Sequence, residues 1–277
     1  MQRLWFITNP HSGSATQEKC MALEAVFEER GLILAGRTRF PDDAIPDAAA
    51  LAVANVDTVV LFAGDGTINA ALCALADWDG AFLILPGGTM NMLAKMLHGD
   101  ADPAAIVHAA HHASRRVALP YVEAGPHRAF VGLIVGPAAH WGRAREAARA
   151  GRIARLAGAL RNAWRRTFGR GIRLRGIADM DRRYQAIFVA PTNGALRVNA
   201  IDARDWGAIA ELGWTWLTGD WVAARAVMQR DAAQIEPYSS RPVLALFDGE
   251  PVTLAPGTVI RAGMTRPNYL ATAQVAA

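Results

Sequence analysis

Val59-Val60-Leu61-Phe62-Ala63-Gly64-Asp65-Gly66-Thr67-Ile68-Asn69 is an apolar run that stops at a turn. A run this short and this apolar reads as a buried strand, and the residues after it read as a tight turn opening a helix. Gly64 and Gly66 let the backbone bend and approach a ligand with no Cβ in the way. Asp65 sits between them, where core packing calls for no carboxylate. Thr67 is expected to cap a helix over 67–76, whose first N–H groups and dipole would favour a phosphate.

The same pattern recurs on either side. Upstream, a strand over 4–8 ends in Asn9-Pro10-His11-Ser12-Gly13-Ser14 and precedes a helix over 16–30 that Gly31 stops. A second strand over 32–38 and a helix over 42–55 follow. Downstream, a strand over 81–85 ends in Pro86-Gly87-Gly88-Thr89-Met90-Asn91, with a short helix to position 97. Alternation of this kind implies an α/β domain with a doubly wound, largely parallel sheet. Ligands of such sheets bind at the carboxyl ends of the strands, so the three turns can share one site.

The pattern changes at Leu119-Pro120. Strands are expected over 121–124, 128–135, 172–178, 185–191, 233–238, 242–248 and 257–262, with a helix inserted over about 141–168. There Ile153, Leu156, Leu160, Trp164 and Phe168 recur at helical spacing among arginines. The expected architecture is therefore an α/β domain over 1–119, to which a tail over about 263–277 returns. A mostly β, sandwich-like domain over 120–262 carries the inserted amphipathic helix.

Composition narrows the function classes. The chain has 277 residues, 52% hydrophobic and 19% charged, with a formal net charge of +4. That is a globular composition with no apolar run long enough to span a membrane. The N-terminal stretch is too short for the core of a signal peptide. Cys20 and Cys73 have no metal-ligand spacing and make no disulfide framework, which suits a reducing cytoplasm. Residues 141–175 hold eleven arginines and one acid, Glu146, so the rest of the chain is net acidic.

Four motifs taken together carry a resemblance. Asn9-Pro10-x-Ser12-Gly13, Gly64-Asp65-Gly66-Thr67, Gly88-Thr89-x-Asn91 and Asp248-Gly249-Glu250 occur in the order and spacing of the diacylglycerol kinase catalytic family. These are soluble bacterial lipid kinases that share a fold with sphingosine kinases and NAD kinases. Alone, each motif reads as turn chemistry, Asp-Gly being a common hairpin pair. The resemblance implies ATP and Mg²⁺ in a cleft between an α/β and a β-sandwich domain, with a diacylglycerol-like lipid as substrate. It implies nucleotide contacts at Asn9, Pro10, Ser12, Gly13, Thr38, Gly64, Asp65, Gly66, Thr67, Asn69, Gly88, Thr89 and Asn91. Asp65 would manage metal and phosphate, and Glu250 would accept the proton of the lipid hydroxyl.

Two departures stand out. Ala63 occupies the family's usual first glycine, which an extended residue would tolerate. After Pro191 the family's Asp-Gly-x-Leu motif is missing, leaving Asp202 or Asp205 to hold an accessory Mg²⁺. Loss of that segment motivates an alternative, a non-catalytic nucleotide- or lipid-binding protein of the same fold. An NAD kinase fits less well, because Asn69 and the Gly88–Asn91 turn match the lipid branch; a sphingoid or ceramide kinase remains a further option.

A lipid kinase must also reach its substrate. The 143–175 arginine cluster and the tryptophans Trp206, Trp214, Trp216 and Trp221 suit peripheral contact with an anionic membrane at its inner face. No nucleic acid is expected, since no aromatic-interleaved binding motif accompanies the basic cluster. A homodimer is left open.

Overall fold

The structure, a computed structural model, describes residues 1–88, 91–136, 171–180, 182–201 and 227–273. The chain divides into two compact units, Met1–Leu119 with Met264–Ala277, and Pro120–Gly263.

The first unit is built on five strands, β1 (Arg3–Thr8), β2 (Ile33–Arg39), β3 (Thr58–Ala63), β4 (Ala81–Pro86) and β5 (Arg115–Val117). Its helices are α1 (Gln17–Glu29), α2 (Ala48–Val53), α3 (Asp65–Ala74), α4 (Met92–His98) and α5 (Pro103–His112). β2, β1, β3 and β4 lie side by side and parallel. The chain's last strand, β17 (Tyr269–Ala271), returns to run parallel to β4 and antiparallel to β5. Side chains alternate between the two faces. Leu4, Phe6, Val60, Phe62, Leu83 and Leu85 form one core with Leu23 and Phe27 of α1 and with Ile106 and Val107 of α5. Ile7, Val59, Leu61 and Ile84 alternate with them and are equally buried. α3 and α4 contact β3 and β4, and their buried residues Ile68, Leu72, Leu93 and Leu97 are outside that first core. The sheet is thus wound on both faces.

Local chemistry sets the helix starts. Thr16, Asp47 and Asp102 cap α1, α2 and α5 by accepting from Lys19, Ala50, and Ala104 and Ala105 N–H groups. α2 is much shorter than the expected 42–55, because Pro46 disfavours helix before Asp47 can cap. α3 begins earlier than expected: Gly64 is its N-cap, and Asp65 and Thr67 both lie in its first turn.

The second unit contains β6 (Pro120–Ala124), β7 (His127–Ala129), β8 (Leu133–Val135), β9 (Arg173–Arg175), β10 (Ala186–Thr192) and β11 (Ala195–Ile201). β12 (Val227–Ala232), β13 (Gln234–Tyr238), β14 (Val243–Phe247), β15 (Glu250–Leu254) and β16 (Ile260–Met264) complete it. They form a six-stranded sheet, β12-β11-β10-β8-β14-β15, and a five-stranded sheet, β7-β6-β16-β13-β9. Val122, Leu174, Ile235 and Ile260 of the second share one core with Leu133, Val189, Val198 and Phe247 of the first. Two antiparallel sheets closing one core make a sandwich.

Several details differ from the sequence reading. The strand expected over 128–135 is two strands, separated at 130–132 where the backbone N–H groups turn to a side chain, Asp248. β11, β12 and β15 are not among the expected strands; β11 pairs from Leu196 to Ile201 with the whole of β12. β12 lies at the sheet edge, where the polar run Gln229-Arg230-Asp231 conceals a strand. The inserted helix, Trp206, Trp214, Trp216, Trp221, Asp202 and Asp205 lie outside the described residues. Among the described residues no helix is long and apolar enough to cross a membrane.

Candidate functional site

β1, β3 and β4 are neighbours and parallel, so the turns that follow them emerge along one edge of the sheet. Side chains then tie the turns together. Asn9 Nδ2 donates to Thr67 Oγ1 at 2.8 Å, joining the first turn to the second. Ser14 donates from its backbone N–H to the Gly87 carbonyl at 3.3 Å and from its hydroxyl to the Gly88 carbonyl at 3.1 Å, joining the first to the third. The Met92 N–H donates to Asp65 Oδ1 at 3.1 Å, joining the second to the third. Every pair of turns is linked.

The glycines make that contact possible. A Cβ at Gly88 would lie 2.7 Å from the Gly64 Cα, and one at Gly87 would lie 2.5 Å from the Ala63 nitrogen. Backbone meets backbone at both places. Ala63 itself is the last residue of β3 and fully buried. At that position an extended alanine fits as well as a glycine.

Within the turns the polar side chains are likewise engaged. Asn9 Oδ1 accepts from the His11 N–H at 2.8 Å, and the Ser12 hydroxyl donates to the Asn9 carbonyl at 2.6 Å. Asn91 has a left-handed backbone, φ 51°. Its amide closes the third turn, accepting from the Gly88 N–H at 2.6 Å and donating to the Gly88 carbonyl at 3.0 Å. Asn69 Oδ1 accepts from the Cys73 thiol at 3.5 Å.

What the edge offers a ligand is therefore largely backbone. The first helical hydrogen bond of α3 runs from the Ile68 N–H to the Gly64 carbonyl. The N–H groups of Gly66 and Thr67 precede it, and such groups have no acceptor inside the helix. Gly64 provides no side-chain cap for them. A ten-residue helix adds its positive end at the same place. This is an arrangement that holds phosphate oxygens.

Asp65 is the acidic residue of that first turn. Mg²⁺ in nucleotide sites needs few protein ligands, taking one or two carboxylates and otherwise phosphate and water oxygens. One carboxylate beside a phosphate cradle fits that donor set. Among the described residues no three His, Cys, Asp or Glu side chains gather into a metal cluster.

Thr38 is on β2, opposite Ile7 of β1, and only 2% exposed. Its hydroxyl accepts from the Trp5 indole N–H at 2.9 Å. Pro10 and Gly13 are exposed in the first turn. On the α1 side of that turn is a cavity of about 220 Å³, lined by Phe6, Thr8, Pro10, Cys20, Arg37 and others. Burial pushes the Cys20 thiol pKa up, with Glu24 adding to the effect. Thr89, Asp202 and Asp205 lie outside the described residues.

Comparison with known families gives one assignment. Residues 3–121 match the diacylglycerol kinase catalytic domain. The matched stretch covers the first segment of the first unit, with all three turns. This part of the chain is thus similar to that catalytic domain. Three solved structures from Bacillus anthracis str. Sterne share the fold, one described as a diacylglycerol kinase and two as candidate ones. They are 13%, 15% and 15% identical in sequence, with TM-scores of 0.62, 0.66 and 0.64. Each alignment covers 97% of this chain and 96% of the other. A comparison with curated proteins gives no match.

Outside the matched stretch, Glu250 opens β15 and is exposed. It pairs with Phe247 across the β14–β15 hairpin. Asp248 and Gly249 form the turn, with φ of 48° and 93°. Left-handed backbone at both positions is what a two-residue hairpin turn requires.

Sequence reasoning passed over Ser14 and Asp248 as individuals. Ser14 stands at the end of the first quoted turn, but nothing local shows that it bridges to Gly87 and Gly88. Asp248 belongs to the Asp248-Gly249-Glu250 motif, but nothing local shows that its carboxylate reaches the 130–132 backbone.

Proposed function

We propose that this protein is an ATP- and Mg²⁺-dependent lipid kinase that phosphorylates a hydroxyl of diacylglycerol or a similar lipid. The observation that carries the proposal is the interlocked edge: three turns tied by side chains around the open N-terminus of α3, inside a stretch that matches the kinase catalytic domain. Phosphoryl transfer depends on positioning and charge neutralisation more than on covalent chemistry. The backbone N–H groups of the turns would hold the ATP phosphates, and Asp65 would hold the metal. Mg²⁺, when bound, offsets phosphate charge.

In the proposed reaction the lipid hydroxyl oxygen bonds to the γ-phosphorus as the bond to the bridging oxygen breaks. The hydroxyl proton passes to the Glu250 carboxylate, and ADP departs. A strand-borne carboxylate is a rigid base, and general bases are worth roughly 10²–10⁴-fold in rate. The arginines of 143–175 are proposed to adsorb the enzyme to anionic lipid; of these, Arg173 and Arg175 lie on β9 and are exposed.

The test is transfer of radiolabelled γ-phosphate to diacylglycerol in mixed micelles. Wild type should label the lipid, and Asp65→Asn and Glu250→Gln should each reduce turnover by about 100-fold or more. Near-wild-type turnover in both variants sinks the mechanism. Tight ATP binding without transfer to diacylglycerol or to any lipid of a total extract sinks the activity.

A further inference from the structure

Asp248 is bound in a way that its place in a hairpin does not require. Its Oδ2 accepts from the Phe130 N–H at 2.8 Å. Its Oδ1 accepts from the Val131 and Gly132 N–H groups, both at 2.9 Å. The Asp248 N–H in turn donates to the Gly132 carbonyl at 3.0 Å. Three successive backbone N–H groups form a concave anion site of the kind that binds phosphates elsewhere, and here the chain's own carboxylate fills it. The 130–132 segment is itself held. Phe130 is 2% exposed, and a Cβ at Gly132 would lie 2.7 Å from the Phe188 ring. On the other side of the turn, Phe247 is buried and pairs with Leu133 of β8.

We propose that Asp248 is a positioning residue for Glu250, fixing the hairpin turn to the 130–132 segment so that the exposed carboxylate two residues later is presented in one place. The proposal rests on Glu250 serving as the base. The physical need is clear: Glu250 has a flexible side chain at the start of a strand on the sheet edge. Without the carboxylate, three backbone donors would lose their acceptor and the turn would lose its anchor. Misplacing a reacting group by about 1 Å can cost on the order of 100-fold in rate.

Asparagine is the informative substitution, since it tolerates the left-handed backbone. Its oxygen can still accept from Val131 and Gly132, but its NH₂ group meets the Phe130 N–H, donor to donor. Asp248→Asn should lower kcat on diacylglycerol micelles by about 10- to 100-fold. KM for ATP should stay within about twofold, because the phosphate turns belong to the other unit. Hydrogen exchange of the 130–132 amides should accelerate. The decisive measurement is the double variant Asp248→Asn/Glu250→Gln, which should be no slower than Glu250→Gln alone, because Asp248 acts only through Glu250. Multiplicative losses in the double variant, or a wild-type kcat in Asp248→Asn with the 130–132 amides exchanging faster, overturn the proposal. If Asp248→Asn does not fold, Asp248→Gly carries the same test, since glycine keeps the left-handed turn and removes only the carboxylate. Wild-type turnover in Glu250→Gln alone is a different result: it refutes the catalytic assignment on which this one depends.

Discussion

The two units treat their polar side chains differently. At the edge of the first, side chains from three turns bond to one another and to neighbouring carbonyls, and the backbone of α3 is left to meet a ligand. In the second, one carboxylate gathers three backbone N–H groups while a second, Glu250, stays exposed. In the first unit side chains prepare a backbone site; in the second a backbone site is filled to prepare a side chain. A polar residue near proposed chemistry is therefore not automatically a ligand contact. Asn91 and Asp248 both stand in motifs, and both have their hydrogen bonds inside the fold.

The largest expected effect on stability tests whether the first unit closes as tightly as this contrast requires. His98 of α4 is buried, with Nδ1 2.9 Å from the Thr272 hydroxyl beyond β17. Burial pulls its pKa down from 6.5 to about 4, partly opposed by the Ile84 carbonyl. The folded state thus keeps the ring neutral where the unfolded chain would protonate it. The stability this represents is fully present above pH 6.5 and is lost as the pH falls from 6.5 toward 4. Its full size is about 3 kcal/mol. Urea midpoints across that window should fall for wild type and stay nearly flat for His98→Leu. An equal slope in both would assign the acid sensitivity elsewhere.

Next in size is Gly87→Ala. The added Cβ would lie 2.5 Å from the Ala63 nitrogen and 2.8 Å from the Phe62 carbonyl carbon, with no flexible side chain to yield. Overpacking of this kind costs about 1–3 kcal/mol. It should also separate the ends of β3 and β4, so ATP binding should weaken along with the urea midpoint. A stable variant that binds ATP normally would show that the turns need not touch.

The extent to which the sequence revealed this follows the same division. In the first unit the signals are local: an apolar run, a Gly-rich turn and a helix start lie within a dozen residues, and the edge that they share follows from parallel order. Even there, composition favours Thr67 over Gly64 as the cap and so puts the start of α3 two residues late. The Thr67 hydroxyl instead meets Asn9, a partner far away in sequence. In the second unit the determinants are non-local. The break between β7 and β8 is caused by Asp248, more than a hundred residues downstream, and no window around 128–135 contains it. β11 is the exception: Leu196, Val198 and Ala200 are buried and alternate in sequence with the polar Arg197 and Asn199, so its strand pattern is local and legible even though the expected strands do not include it.

Asn9→Ala probes a single tie of the first unit. It removes the donor to Thr67, leaves the Thr67 oxygen without that bond, and releases the His11 N–H. A hydrogen bond of this kind is worth about 1 kcal/mol net. The expected result is a loss near that size, together with a weaker ATP affinity. If affinity falls while stability does not, Asn9 touches the nucleotide directly instead of shaping the turn.

The smallest effect sets the two units directly against each other through surface ion pairs. Arg37 of β2 meets Glu24 of α1 with two parallel bonds, 2.8 Å and 2.9 Å, at side-chain exposures of 56% and 30%. Hydrogen bonding to Arg37 holds the Glu24 carboxyl below its usual range, despite opposing burial. Arg197 and Asp231 face each other across β11 and β12 with a single contact of 3.4 Å, at exposures of 48% and 59%. Exposed pairs are worth about 0–1 kcal/mol, with bidentate geometry at the upper end. A double-variant cycle on Glu24→Gln and Arg37→Met should therefore return a coupling of several tenths of a kcal/mol that shrinks in high salt. It should also disappear as the pH falls through the lowered Glu24 pKa, because protonation removes the charge that Arg37 grips. The same cycle on Arg197 and Asp231 should return nothing above error. Equal coupling in both pairs would mean that geometry and burial do not separate them, and that the contrast between the units stops short of their surfaces.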